Sequence, residues 1–219
     1  MSMRSQQVYE RIAASHVVAG IRGHFPPEIA LQITGILMDH AISIFEFTMN
    51  STEPLAAMQA VKQRYGNDVV VGMGTVLDVD VARQALDAGA DFVVSPAFQP
   101  DVVKYVHDAG VMMAPGVITP SEAVAAWSMG VPMLKLFPIG SLGVDYFKAI
   151  FGPLNHMRFM CNGGINPENT RDLLKAGAVA VGMAGWLTGD GRMSAETMHQ
   201  RARQLMSAVS AATGEPRVV

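Results

Sequence analysis

The chain has 219 residues, 50% of them hydrophobic, and a formal net charge of -3. That length suits one α/β domain with a sizeable core, and the slight acidity offers no footprint for nucleic acid or a membrane surface. A single cysteine, Cys161, excludes an internal disulfide framework and fits a reducing cytosol, so the chain reads as cytoplasmic. The opening Met1-Ser2-Met3-Arg4 has no apolar signal core, and the longest apolar run, Ala176 to Leu187, falls short of the roughly 18–20 residues that cross a bilayer.

Short apolar runs then alternate with amphipathic segments. Val17–Ile21 reads as a strand and Pro27–His40 as a helix with proline near its start. Ile44–Thr48 and Val69–Met73 are strands, with a helix over Glu53–Arg64 between them and another near Val79–Ala88 after them. Phe92–Val94 and Val111–Ala114 are strands flanking a helix near Gln99–Ala109. Pro120–Ser128 is helical and leads to a strand at Met133–Leu136; Val144–Phe151 is helical and leads to one at Arg158–Cys161. A helix over Pro167–Ala176, a strand over Ala178–Met183 and a helix over Ala195–Ala212 complete the pattern. Gly89, Gly110, Gly130 and Gly177 each follow a helical segment, as C-terminal caps do. About eight strand-then-helix units imply a parallel sheet. At this length they suit an α/β fold of the (β/α)8 TIM-barrel kind, a single domain over residues 1–212, with a doubly wound open sheet as the alternative. Residues 213–219, containing Gly214 and Pro216, read as a frayed tail.

In a barrel, chemistry sits at the C-terminal ends of the strands. Lys135 lies alone in the apolar run Met133-Leu134-Lys135-Leu136-Phe137-Pro138. Burial disfavours an ammonium, and a desolvated lysine amine is a nucleophile for carbonyl groups; the alternative is a lysine snorkelling to water. In Ile44-Phe45-Glu46-Phe47-Thr48, strand alternation puts Glu46 opposite the two phenylalanines and into the barrel, where Lys135 is its natural partner. The pair is either a buried ion pair or a nucleophile with a proton shuttle. Gly163-Gly164, between a strand and Pro167, suit an anion at a helix N-terminus, with Gly182 to Gly185 as the second half of such a site, or else make a tight turn. Arg22 at the first strand end is an anion fork or a surface arginine. The six histidines are scattered without metal-ligand spacing, and His107, His156 and His199 read as solvated.

Taken together, Glu46-Phe47-Thr48, Gly72-Met73-Gly74-Thr75-Val76-Leu77, Ser95-Pro96, Ala114-Pro115-Gly116, Lys135-Leu136-Phe137-Pro138 and Gly163-Gly164-Ile165 give a specific resemblance. From about Val17 to Leu187 the chain resembles the 2-keto-3-deoxy-6-phosphogluconate / 4-hydroxy-2-oxoglutarate (KDPG/KHG) aldolase family. The resemblance implies a class I aldolase on a (β/α)8 barrel, a homotrimer that needs neither metal nor cofactor. It makes Lys135 the Schiff-base lysine and Glu46 the general acid/base. Thr75, Pro96 and Phe137 become pocket residues, and Gly163 and Gly164 the phosphate loop.

Two places depart from the phosphogluconate branch. Asn50 stands where that branch has arginine, and Gly185 stands before Trp186 where it has serine. Asn50-Ser51 with Ile21-Arg22-Gly23 is more similar to the branch acting on the galactonate epimer, which makes Arg22 the substrate clamp and leaves Gly185 a backbone donor. Asn162 stands where the phosphogluconate branch resembles Thr, so both sugar-acid epimers stay open. The implied reaction cleaves a 2-keto-3-deoxy-6-phospho sugar acid to pyruvate and glyceraldehyde 3-phosphate, with 4-hydroxy-2-oxoglutarate as a further substrate. A phosphosugar isomerase or epimerase on the same barrel, or a non-catalytic sugar-acid binding protein, are the alternatives.

Overall fold

The computed structural model describes residues 2–214. The expected tail therefore lies largely outside the described residues; Thr213 still belongs to the last helix, and Gly214 is its left-handed cap. In chain order the elements are α1 (Met3–Ser15), β1 (Val17–Ile21), α2 (Pro27–Met38), β2 (Ile44–Thr48), α3 (Pro54–Tyr65), β3 (Val70–Gly74), α4 (Val79–Asp87), β4 (Phe92–Val94), α5 (Pro100–Asp108) and β5 (Met112–Ala114). They continue as β6 (Gly116–Val117), α6 (Pro120–Ser128), β7 (Leu134–Leu136), α7 (Val144–Phe151), β8 (Phe159–Asn162), α8 (Pro167–Lys175), β9 (Ala180–Met183) and α9 (Ala195–Thr213).

All recorded strand pairs are parallel, and the sheet runs β5-β4-β3-β2-β1-β9-β8-β7-β6. Its two ends are consecutive in the chain, joined through Pro115. Proline has no N–H to give a ladder and a fixed φ, so it splits one barrel strand into two short pieces. β5 pairs with β4, and β6 pairs with β7 through Gly116 opposite Lys135. The sheet thus closes into a (β/α)8 barrel. The expected strand ending at Ala114 continues beyond the proline.

The period-two side-chain alternation divides the core in two. Outward residues such as Phe45, Phe47, Val71, Leu134, Leu136, Phe159 and Val181 pack under the helices. Inward residues Val18, Ile44, Val70, Phe92, Met112, Met133, Met160 and Ala180 form a second apolar cluster. One pleat further along, the inward positions change character to Gly20, Glu46, Gly72, Lys135, Asn162 and Gly182. The lower barrel is therefore a packed plug, and the upper barrel is polar with room left by glycines.

The sequence pattern did not suggest α1. It is a polar helix that buries Ser5, Val8 and Ile12. Val8 and Ile12 join the inward cluster and close the N-terminal end of the barrel. Helix starts follow the expected logic: proline opens α2, α3, α5, α6 and α8, and α6 and α8 carry capping boxes, Thr119/Glu122 and Asn166/Asn169. The four expected cap glycines all have positive φ.

Candidate active site at the C-terminal mouth of the barrel

One cavity of about 530 Å³ opens at the C-terminal ends of the strands. Lys135, Glu46, Arg22, Asn50, Thr75, Pro96, Phe137, Asn162, Gly163, Gly164 and Gly185 all line it. Thr48, Asn166 and Trp186 also line it and were not singled out from sequence. Thr48 was within reach of the alternation that picked Glu46. Trp186 and Asn166 come from loops, where no periodicity marks a direction.

Glu46 and Lys135 approach each other from β2 and β7. They are only 5% and 8% exposed, so each charge depends on the other. Lys135 Nζ lies 3.5 Å from Glu46 Oε1 and 5.2 Å from the centre of the Phe137 ring. That is the outer limit of a hydrogen bond, close enough for proton exchange and loose enough for the amine to meet a carbonyl. Gly74, opposite Thr48 in the ladder, makes the space for the carboxylate: a Cβ there would fall on Glu46 Oε1. Gly182 does the same for Asn162, whose side chain occupies the place a Cβ would take.

Asn162 is 6% exposed, and its Oδ1 accepts no hydrogen bond from the described residues. An acceptor buried without a partner is costly, and this one lies on the cavity wall. Thr75 follows β3 with φ +60, an uncommon conformation for a β-branched residue. Its hydroxyl reaches Asn50 Oδ1 at 3.5 Å. Strain of this kind is held where the surroundings dictate a geometry.

On the opposite rim, Gly163 and Gly164 have φ of +84 and +69. The Gly140 N–H donates to the Gly163 carbonyl at 2.7 Å, and a Cβ on Gly163 would press to 2.9 Å from the Phe137 ring. Conformation and space both demand glycine there. The loop leads into the N-terminus of α8, and Gly185, in the loop after the neighbouring strand β9, lines the same cavity. Arg22 stands exposed at the mouth, and no described residue bonds its guanidinium. Backbone donors at a helix start together with a free arginine suit a ligand with more than one anionic group.

Other reactive side chains lie elsewhere. Cys161 faces the strand–helix layer, and burial pushes its thiol pKa up, which makes it inert. His199 is not simply solvated. The β1–β9 pairing brings α2 beside α9, and His40 Nε2 lies 2.9 Å from His199 Nδ1. Burial and then His199 lower the pKa of His40. Among the described residues no three His, Cys, Asp or Glu side chains gather to hold a metal, and no helix is long and apolar enough to cross a membrane.

A lysine amine beside a carboxylate, at the mouth of a (β/α)8 barrel whose rim carries glycine loops and an exposed arginine, has the elements of a carbonyl-directed lyase. The KDPG and KHG aldolase family profile matches residues 8–203. The chain belongs to the KDPG and KHG aldolase family. It is 32% identical over 189 residues to a 2-dehydro-3-deoxy-phosphogluconate aldolase of Haemophilus influenzae, covering 85% of this chain and 87% of that one. It is 31% identical over 199 residues to a probable 2-dehydro-3-deoxy-6-phosphogalactonate aldolase of Rhizobium meliloti, covering 90% and 93%. A solved native KDPGal structure superposes with a TM-score of 0.85 at 28% identity, covering 91% of this chain and 96% of that chain.

Proposed function

We propose that the protein is a class I aldolase that cleaves a 2-keto-3-deoxy-6-phospho sugar acid to pyruvate and glyceraldehyde 3-phosphate. The observation that carries this reading is the buried Lys135–Glu46 pair, 3.5 Å apart inside a cavity also lined by Arg22 and the Gly163-Gly164 loop. Relatives named for the gluconate and the galactonate epimers match about equally well, so both are substrates to test. The same pyruvate-forming half-reaction makes 4-hydroxy-2-oxoglutarate a further substrate, yielding glyoxylate.

Lys135 Nζ attacks the C2 ketone, and Glu46 passes protons while the carbinolamine loses water to an iminium. The iminium is the electron sink. Glu46 takes the C4 hydroxyl proton, the C3–C4 bond breaks with its electrons moving into an enamine, and the aldehyde leaves. Protonation of the enamine and hydrolysis of the imine return pyruvate and free Lys135. Arg22 and Thr75, with Asn50 holding the threonine, grip the carboxylate end. Gly163, Gly164 and Gly185 hold the phosphate through backbone groups. Asn162 Oδ1 accepts from a substrate hydroxyl, and Pro96 and Phe137 shape the apolar wall. No metal or other cofactor has a step in this scheme. The protein works in the cytoplasm as a homotrimer, a reading that rests on the likeness to its relatives.

The test is pyruvate release from the two epimeric phospho sugar acids. The wild type turns over at least one of them, and Lys135→Ala turns over neither. Pyruvate release by Lys135→Ala would overturn Lys135 as the Schiff-base lysine, and isomerisation of a phosphosugar without pyruvate would overturn the aldolase in favour of the isomerase reading.

A further inference from the structure

Arg22 lines the mouth of the cavity with no bonding partner among the described residues, yet the chain around it is tightly held. The two peptide groups that flank it are bonded to one side chain. The carbonyl of Ile21, before Arg22, accepts from Ser51 Oγ at 3.4 Å, and the N–H of Gly23, after it, donates to the same oxygen at 3.1 Å. Thr48 Oγ1 stands 2.8 Å from Ser51 Oγ. A hydroxyl has one hydrogen and two lone pairs. With the hydrogen on the Ile21 carbonyl, the Gly23 N–H and the Thr48 hydroxyl fill the lone pairs, and Ser51 has nothing left to offer a ligand.

The loops on either side complete the clamp. The Gly23 carbonyl accepts from the Thr52 N–H at 3.0 Å, and the His24 N–H donates to the Asp190 carbonyl at 3.0 Å. Gly23 has φ +142, and a Cβ there would lie 2.9 Å from the Asp190 oxygen, so the chain passes through a fixed gap. Among the described residues, Ser51 is the side chain that bridges the peptides on both sides of Arg22. It also ties them to Thr48, which shares the inward face of β2 with Glu46.

We propose that Ser51 is a positioning residue for Arg22. By bracketing the arginine it fixes the direction from which the guanidinium fork meets the anionic end of the substrate. This rests on the reading of Arg22 as the substrate clamp. Without the hydroxyl the charge stays at the mouth, but the fork loses the preset geometry that two-point recognition needs. The loss falls on binding. Lys135 and Glu46 keep their places because the ladders of β2 to β3 and of β7 to β6 and β8 do not involve Ser51.

The test is steady-state pyruvate release by Ser51→Ala, Ser51→Thr, Arg22→Gln and the Ser51→Ala/Arg22→Gln double variant. Ser51→Ala is expected to raise KM about 3- to 10-fold, the scale of one net hydrogen bond, and to leave kcat unchanged. Ser51→Thr, which keeps the hydroxyl, restores most of the affinity. In the Arg22→Gln background Ser51→Ala adds nothing further. A wild-type KM for Ser51→Ala overturns the positioning role, and so does an equal rise in both backgrounds. A wild-type KM for Arg22→Gln overturns instead the clamp on which the proposal stands. Should Ser51→Ala not fold, Ser51→Cys keeps the volume with weaker hydrogen bonding and is read the same way.

Discussion

Gly74→Ala places a single methyl group against the proposed proton shuttle. The backbone tolerates it, since Gly74 is a strand residue without positive φ. Space does not: the new Cβ overlaps Glu46 Oε1 and lies 2.8 Å from both Cγ and Cδ of that side chain. To reach ordinary contact at 3.4 Å, the carboxyl carbon must retreat by more than half an ångström. The atom most displaced is Glu46 Oε1, the one that stands 3.5 Å from Lys135 Nζ, so the hydrogen bond between them loses its geometry. Overpacking of this kind costs about 1–3 kcal/mol, which at this chain length lowers Tm by about 2–4 °C per kcal/mol. A misplacement approaching 1 Å at a reacting group costs about 10²-fold in rate. The variant is therefore expected to fold, to lose about 10- to 100-fold in kcat, and still to form an imine with pyruvate on Lys135, because the amine is untouched. The assay is pyruvate release beside a thermal melt. Wild-type kcat in a folded Gly74→Ala protein would refute the assignment of Glu46 as the shuttle.

Other expectations can be checked alongside. Thr75→Gly relieves the φ of +60 and Thr75→Ala does not, so the glycine variant is expected to match or exceed the alanine variant in urea stability by up to about 1 kcal/mol, and both raise KM. Ile12→Ala empties a fully buried position at the closed end of the barrel; it is expected to cost about 2–5 kcal/mol while leaving kcat of the folded protein unchanged. Glu122 accepts from the N–H groups of Thr119 and Ile118, which hold its carboxyl below the ordinary value of 4.5. A depressed folded-state pKa gives stability that is present above 4.5 and lost as pH falls through the lower folded value. Urea melts are expected to show a gap of about 1 kcal/mol between wild type and Glu122→Gln at neutral pH, closing in acid.

Much of the barrel was legible because its strands are short, apolar and bounded by Gly or Pro. Val17–Ile21, Ile44–Thr48 and Phe92–Val94 fall where the pattern put them. The misses have physical causes. Asn162 reads as loop, yet it is the last residue of β8, because burial of the strand end overrides its propensity. α1 was missed because only three of its residues are buried, so its apolar stripe is too thin to stand out from a polar terminus. β6 was hidden behind Pro115, which breaks a strand in sequence but only kinks it in space.

The cavity itself was legible at the level of which residues meet. Strand alternation and the C-terminal-end rule place Glu46 and Lys135 together, and the family motifs supply the rest. What no pattern carries is the support beneath them. The space at Gly74 for a carboxylate, the strain at Thr75 and the Ser51 bracket around Arg22 depend on contacts between residues far apart in the chain. The His40–His199 contact is of the same kind and appears only when the barrel closes β9 onto β1.

The central claim is that Lys135 forms an imine. Reduction with borohydride in the presence of pyruvate, followed by peptide mass spectrometry, tests it most directly. The account predicts a reduced pyruvate adduct on the peptide containing Lys135, absent in Lys135→Ala. No adduct with folded protein and excess pyruvate, or an adduct confined to another lysine, would contradict it.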